Sequence, residues 1–78
     1  MTFVIYSKNG CPYCDKIKQV MRLAELKHVI YTLDQEFTRD QFYAEFGQGS
    51  TFPQVQLNGE NLGGCTDTVK YLKEQNIV

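Results

Sequence analysis

The sequence predicts an α/β fold in the order βαβαββα, with a four-stranded mixed sheet flanked by three helices. Three observations lead to this prediction. A short apolar run, Phe3 to Ser7, has the β-branched and aromatic composition of a buried strand and is too short for a helix. The residues that follow it repeat apolar positions at helical spacing. Later in the chain, Asn58-Gly59 separates two strand-like runs and is a dipeptide typical of a β-hairpin.

The first half of the chain predicts a strand, a helix and a second strand. Between Pro12 and about Lys27, apolar side chains recur at positions i, i+3, i+4 and i+7, namely Ile17, Val20, Met21 and Ala24. This spacing predicts an amphipathic helix of roughly four turns. His28 to Leu33 again favours extended structure. Short connections on both sides of such a helix imply parallel strands with a right-handed crossover.

The second half predicts a short helix, a hairpin and a last helix. Thr38 to Gln41 has the form of a capping box, and the stripe that follows it, which Gly47 ends, is assigned to the core: Phe42, Tyr43 and Phe46. Gln54 to Leu57 and Glu60 to Leu62 should pair antiparallel across the turn. A third helix should follow Gly63-Gly64 and run to about Gln75.

Length and composition predict one soluble domain over residues 1–78. A chain of 78 residues buries only about 60 % of its unfolded surface, which is too little for two domains. The formal charge of -1 and the 42 % of hydrophobic residues argue against disorder, and the apolar runs are too short for a membrane span or a signal peptide. Basic residues form no stripe interleaved with aromatic residues, which argues against nucleic-acid binding. We therefore expect a cytoplasmic protein, and a monomer.

The stretch that carries chemistry is Cys11-Pro12-Tyr13-Cys14, at the junction of the first strand and helix. Residues i and i+3 at a helix start lie on one face, close enough for their sulfurs to bond. Unpaired amides and the positive end of the helix dipole favour a thiolate at Cys11, with the amides of Tyr13 and Cys14 as donors. Lys8 would favour the same thiolate. Cys14, one turn inside the helix, should be the more shielded thiol and resolve the mixed disulfide.

A zinc site is the alternative use of these cysteines. Such a site needs about four ligands, and the only further candidates are Cys65 and His28, without the spacing of a closed site. The odd number of cysteines, three, also argues against a structural disulfide framework. A Cys-x-x-Cys motif beside a strand-helix-strand pattern indicates a redox motif instead. We expect no metal, and interpret Cys65 as a small packed residue and His28 as a strand-edge or surface histidine.

The chain resembles the glutaredoxins over essentially its whole length. The segments that carry the resemblance are Lys8, Cys11-Pro12-Tyr13-Cys14, Thr51-Phe52-Pro53 and Gly63-Gly64-Cys65-Thr66-Asp67. It implies a thioredoxin fold and a cis-proline loop at Pro53 beside the thiols. In that loop the backbone of Phe52 would pair with an incoming peptide as an added strand.

The resemblance also implies a glutathione site. Its residues would be Lys8, Tyr13, Gln48, Phe52, Pro53, Gly64, Cys65, Thr66 and Asp67. The amides of Cys65 and Thr66 would hold the α-carboxylate of glutathione, and the Asp67 carboxylate would hold its ammonium group. Lys8 would meet the glycyl carboxylate and Tyr13 would flank the sulfur. Asp67 or Thr66 could alternatively serve only as a helix cap.

Three positions depart from the family pattern. The position before Pro53 is commonly valine, and here it is Phe52. Gly49 stands where the family often has Arg or Gln, so that the neighbouring Gln48 would take over its contact with glutathione. Thr66 stands where Asp is frequent, which removes one negative charge from the γ-glutamyl end of the site.

The activity that the resemblance implies is glutathione-dependent reduction of protein disulfides and of protein-glutathione mixed disulfides. Cys11 would be the nucleophile and Cys14 the resolving thiol, with glutathione as co-substrate. Two alternatives stay open at this point. The protein could be an electron donor, for instance to ribonucleotide reductase, that thioredoxin reductase reduces. It could also be a binding module that bridges an iron-sulfur cluster through Cys11 and glutathione.

Overall fold

A computed structural model describes all residues, 1–78, and confirms the order βαβαββα. The strands are β1 (Phe3–Ser7), β2 (His28–Thr32), β3 (Gln54–Leu57) and β4 (Glu60–Gly63). The helices are α1 (Pro12–Leu23), α2 (Arg39–Phe46) and α3 (Cys65–Glu74). None of these helices has the length and apolar character that a membrane crossing requires.

The four strands form one mixed sheet in the order β2-β1-β3-β4. β1 runs parallel to β2, with Phe3 opposite His28, as the strand-helix-strand pattern predicts. The other edge of β1 pairs antiparallel with β3, and β3 pairs antiparallel with β4. Asn58 and Gly59 connect these two strands with φ angles of 53° and 83°. Positive φ at both central residues is the geometry that a tight hairpin turn needs.

The two faces of β1 bury different kinds of side chains. Phe3 and Ile5 point to one face, where they pack in a cluster with Ile17 of α1 and Leu72 of α3. Tyr6 points to the other face, where it contacts an aromatic cluster that includes Phe37, Phe42 and Phe46. The sheet therefore lies between α1 and α3 on one side and α2 on the other.

Helix α1 ends at Leu23, one turn before the end that the periodicity predicts. Ala24 is the C-cap, and Glu25 takes a positive φ of 55°. The amide of Leu26 then donates to the Met21 carbonyl at 2.9 Å, which closes the last turn and aims the chain into β2. The αL residue that ends a helix is usually glycine or asparagine, so a glutamate there provides no sequence signal.

Candidate active site

Cys11 is the N-cap residue of α1, and its sulfur occupies the position of a capping oxygen. Its backbone is extended, with φ -114° and ψ 104°, and its Sγ accepts a hydrogen bond from the Cys14 amide at 3.2 Å. Pro12 follows at the first helical position. Its lack of an N–H costs nothing there, because an N–H at this position has no partner within the helix. Of the two predicted donors, the Cys14 amide makes this bond and the Tyr13 amide does not. The N-terminus of α1 thus directs an N–H group and its positive dipole end at Cys11.

Cys11 and Cys14 form a disulfide whose Cα atoms are 5.2 Å apart. The two sulfurs differ in their surroundings. Cys11 retains 6 % of its surface exposed, whereas Cys14 is completely buried. Cys11 is therefore the more accessible residue of the pair. This difference agrees with the predicted roles of an attacking and a resolving thiol.

An open groove of about 280 Å³ runs beside the cysteine pair. The start of α1, the loop before β3 and the turn from β4 into α3 form its walls. The groove contains seven of the residues that the glutathione site was predicted to use: Tyr13, Phe52, Pro53, Gly64, Cys65, Thr66 and Asp67. The Phe52–Pro53 peptide bond is cis, as the resemblance implies.

Two predicted residues do not line the groove. Lys8 is half-buried, and its Nζ lies 5.4 Å from the centre of the ring of Phe52, which does line the groove. Gln48 is exposed in the loop after α2 and is not among the groove residues. The contact of Gln48 with the glycyl end of glutathione therefore stays a prediction.

Three groove residues were not predicted, namely Thr51, Gln54 and Gly63. Thr51 and Gln54 are the outer neighbours of Phe52-Pro53, and the Gln54 side chain donates through Nε2 to the Thr51 carbonyl at 2.9 Å. Their position on either side of Phe52-Pro53 is the feature of the sequence that could have identified them as groove residues. Gly63 belongs to the Gly-Gly pair that marked this turn, but only Gly64 was assigned to the site.

The Gly63-Gly64 turn brings α3 close to the Pro53 loop. Gly63 has a φ of 103°, and a Cβ at this position would lie 2.5 Å from Oδ2 of Asp67. A Cβ on Gly64 would lie 3.4 Å from the carbonyl oxygen of Pro53. Oδ2 of Asp67 also accepts a long hydrogen bond of 3.4 Å from the Gly64 amide. Asp67 therefore closes the first turn of α3 and still presents an exposed carboxylate to the groove.

Cys65 is the one cysteine outside the disulfide, and it is buried at the start of α3. Burial raises the pKa of its thiol, and the charge of Lys16 offsets part of this shift. The fold thus keeps Cys65 protonated, as expected for a packed residue.

His28 lies at the edge of the sheet, where its Nδ1 is 2.7 Å from the Leu26 carbonyl oxygen. No group of three or more His, Cys, Asp or Glu side chains comes together in the structure.

The chain is similar to known proteins along most of its length. Residues 3–62 match the glutaredoxin family model. The chain is 42 % identical to glutaredoxin-C4 of Arabidopsis thaliana over 71 residues, which are 85 % of this chain and 51 % of that protein. It therefore spans about half the length of this plant relative.

Two solved structures share the fold. Glutaredoxin 1 of Francisella tularensis, complexed with cacodylate, has 30 % sequence identity and a TM-score of 0.79, and the match covers 97 % of this chain and 95 % of that one. A buckwheat glutaredoxin-glutathione complex has 25 % identity and a TM-score of 0.75, over 96 % of this chain and 71 % of that one. With the Cys-x-x-Cys disulfide at a helix start and the family match over well over half of its residues, the chain belongs to the glutaredoxin family.

Proposed function

We propose that the chain is a glutathione-dependent oxidoreductase that reduces protein disulfides and protein-glutathione mixed disulfides. The observation that carries this proposal is the position of Cys11. Its sulfur caps α1, accepts the Cys14 amide and is the more accessible member of the disulfide. A thiolate at this position gains a charge-assisted hydrogen bond and the helix dipole, both of which lower the pKa of a cysteine.

Reduction of a protein disulfide proceeds in two exchanges. The Cys11 thiolate attacks one sulfur of the substrate, forms a mixed disulfide and releases the other substrate sulfur as a thiolate. Cys14 then loses its proton to solvent and attacks the Cys11 sulfur. This second exchange forms the Cys11–Cys14 disulfide and releases the fully reduced substrate. Two electrons pass from the cysteine pair to the substrate, and the oxidised pair is the state seen in the structure.

Glutathione returns the pair to its reduced state, also in two exchanges. One glutathione thiolate attacks Cys11 and frees Cys14, and a second attacks the glutathione sulfur of the mixed disulfide. The products are glutathione disulfide and the Cys11 thiolate. When the substrate is itself a protein-glutathione mixed disulfide, Cys11 takes up the glutathionyl group directly. In that case Cys14 is not required.

The groove, together with Lys8 outside its lining, offers a complementary group for each end of glutathione. The amides at the start of α3, at Cys65 and Thr66, would bind the γ-glutamyl carboxylate, and Asp67 would bind the adjacent ammonium group. Lys8, at the other end, would bind the glycyl carboxylate. The volume of about 280 Å³ is near the lower end for a small-molecule site. The glutathione complex of the buckwheat relative supports glutathione as the ligand of this groove.

The experiment compares the two possible reductants of the oxidised protein. A glutathionylated peptide and a disulfide-bonded peptide are supplied with glutathione, glutathione reductase and NADPH, and separately with thioredoxin reductase and NADPH. We expect turnover of both peptides in the glutathione system. Turnover that requires thioredoxin reductase would favour the electron-donor alternative instead.

Anaerobic reconstitution with iron and sulfide tests the iron-sulfur alternative. A colourless monomer after this treatment would remove it, and a coloured dimer that requires glutathione would support it.

A further inference from the structure

A second groove, of about 330 Å³, lies between the sheet and α2. It shares no lining residue with the glutathione groove. Four aromatic rings and two carboxylates dominate it, from Tyr6, Tyr31, Phe37, Phe42, Glu36 and Glu45. No lysine or arginine lines it.

The aromatic rings form a continuous surface inside this groove. The ring of Tyr6 meets those of Tyr31 and Phe37 edge to face, with centroids 5.5 and 5.2 Å apart. Phe37 and Phe42 are buried, whereas Tyr31 keeps 36 % of its surface exposed. The phenylalanines therefore form the floor and the tyrosines form a wall that solvent can reach. Aromatic faces in this position attract a cation through the ring quadrupole.

The two carboxylates lie at the exposed rim, and each is oriented through one oxygen. Oε1 of Glu36 accepts the Thr32 amide at 2.7 Å, and Oε1 of Glu45 accepts from Nε2 of Gln56 at 2.9 Å. The second oxygen of each carboxylate has no partner among the hydrogen bonds of the structure. The segment from residue 34 to residue 45 carries four acidic residues, Asp34, Glu36, Asp40 and Glu45, against one basic residue, Arg39.

The negative field of the rim reaches the aromatic wall. The pKa of the Tyr6 phenol is raised by burial and, to a smaller extent, by the charge of Glu45 and by Tyr31. A neutral phenol and two charged carboxylates make an environment in which a positive group is favoured and a negative one is rejected.

The groove adjoins the place where the backbone of a substrate would lie. Phe52, whose backbone is proposed to pair with a substrate peptide, stacks through its ring on Phe42, with the centroids 4.1 Å apart. It also stacks on Phe37 at 6.2 Å. Phe42 and Phe37 both belong to the floor of the second groove. A protein bound along Phe52 therefore passes within reach of this groove.

We propose that the second groove is a subsite for one lysine or arginine side chain of the protein substrate, an inference that rests on the proposed function. The aliphatic stem of such a side chain would lie against the rings, and its charged end would meet Glu36 and Glu45. A small free cation would gain the rim charges but not the backbone pairing at Phe52. The subsite would add a preference for basic substrates without taking part in the thiol exchange.

The test uses a series of disulfide-bonded peptides that differ at one residue. Arginine or glutamine is placed in turn at each position around one cysteine of the disulfide, and kcat/KM is measured in the glutathione system. S-glutathionyl mercaptoethanol, which is too small to reach the second groove, serves as the reference substrate.

The protein variants are Glu36→Gln, Glu45→Gln and the double variant. In each of them the amide oxygen of the new glutamine can still accept the hydrogen bond from Thr32 or Gln56. Glu60→Gln, an exposed change of one charge in β4, is the matched control for each single variant.

We expect kcat/KM of the wild-type protein to be about tenfold higher with arginine than with glutamine at one position. This ratio corresponds to the free energy of a cation–π contact reinforced by carboxylates. The double variant should bring this ratio close to one, while Glu60→Gln and turnover of the reference substrate stay unchanged. Equal turnover of arginine and glutamine peptides at every position would overturn the subsite alone. An equal effect of Glu60→Gln would also overturn it, because the preference would then come from net charge. If the wild-type protein does not turn over the reference substrate at all, the proposed function itself would be overturned.

Discussion

The rings of Phe42 and Phe52 lie parallel, with an interplanar angle of 9° and 4.1 Å between their centroids. Phe42 is on α2 and Phe52 precedes Pro53, so this stack is the link between α2 and the loop that forms one wall of the groove beside the cysteine pair. Lys8 lies over the same Phe52 ring. One aromatic contact thus connects a helix on the far face of the sheet to two elements of the active site.

Replacing Phe42 by alanine should therefore affect both stability and glutathione binding. Phe42 is only 1 % exposed, and truncation of a buried phenylalanine costs about 3–5 kcal/mol of unfolding free energy. Urea denaturation measures this loss, and the KM for glutathione should rise in the fraction that remains folded. Phe46→Ala, at a half-buried position on the same helix, is the control and should cost less. Equal losses in the two variants would contradict a special role for the Phe42 stack.

The sequence predicts the cysteine pair and its neighbours better than it predicts the tertiary contacts that hold them in place. Cys11 caps its helix, and Asn58-Gly59 turns its hairpin, because these features depend on adjacent residues. The Phe42–Phe52 stack depends on how α2 packs over the sheet, which no local pattern reports. The same holds for the early end of α1 at Leu23, which Glu25 follows with an unusual positive φ. Thr51 and Gln54 enter the groove only because the loop turns at Pro53.

Serine substitutions at the two active-site cysteines should separate the two activities. Cys11→Ser removes the attacking thiol and should abolish reduction of both the disulfide-bonded and the glutathionylated peptide. Cys14→Ser should abolish the first activity and spare the second, because release of glutathione from Cys11 needs only an external thiol. Initial rates with the two peptides provide the comparison. If both variants lose deglutathionylation equally, the assignment of attacking and resolving thiols is wrong.

Removal of the Asp67 charge should weaken glutathione binding without unfolding the protein. Asp67→Asn preserves an oxygen that can accept from the Gly64 amide but cannot form an ion pair with the ammonium group of glutathione. We expect the KM for glutathione to rise by about tenfold, since a hydrogen bond to a charged group contributes roughly 1.5 kcal/mol. Asp40→Asn, in the first turn of α2, removes an equal charge far from the groove and should leave KM unchanged. An unchanged KM in Asp67→Asn would exclude this contact.

Two glycine substitutions should distinguish backbone strain from a steric clash. Gly49 and Gly63 both have positive φ angles, of 82° and 103°. A Cβ on Gly49 meets nothing within 4 Å, whereas one on Gly63 meets Asp67 at 2.5 Å. Gly49→Ala should cost about 1–2 kcal/mol of unfolding free energy, the penalty for a side chain in a left-handed conformation. Gly63→Ala should cost more and also raise the KM for glutathione, because Asp67 must move. Equal costs would show that the turn relaxes freely.

The buried thiol of Cys65 should make stability fall at alkaline pH. Its pKa is raised in the folded protein, whereas a cysteine in the unfolded chain ionises at about pH 8.5. The stabilisation from a protonated Cys65 is therefore fully present below about pH 8.5 and is lost as the pH rises through the folded pKa. The unfolding free energy of the oxidised protein, in which Cys11 and Cys14 cannot titrate, is measured by urea denaturation between neutral and mildly alkaline pH. We expect the decrease to be steeper in the wild type than in Cys65→Ala, which lacks the titrating group. Parallel pH profiles would show that Cys65 ionises as readily in the fold as in the unfolded chain.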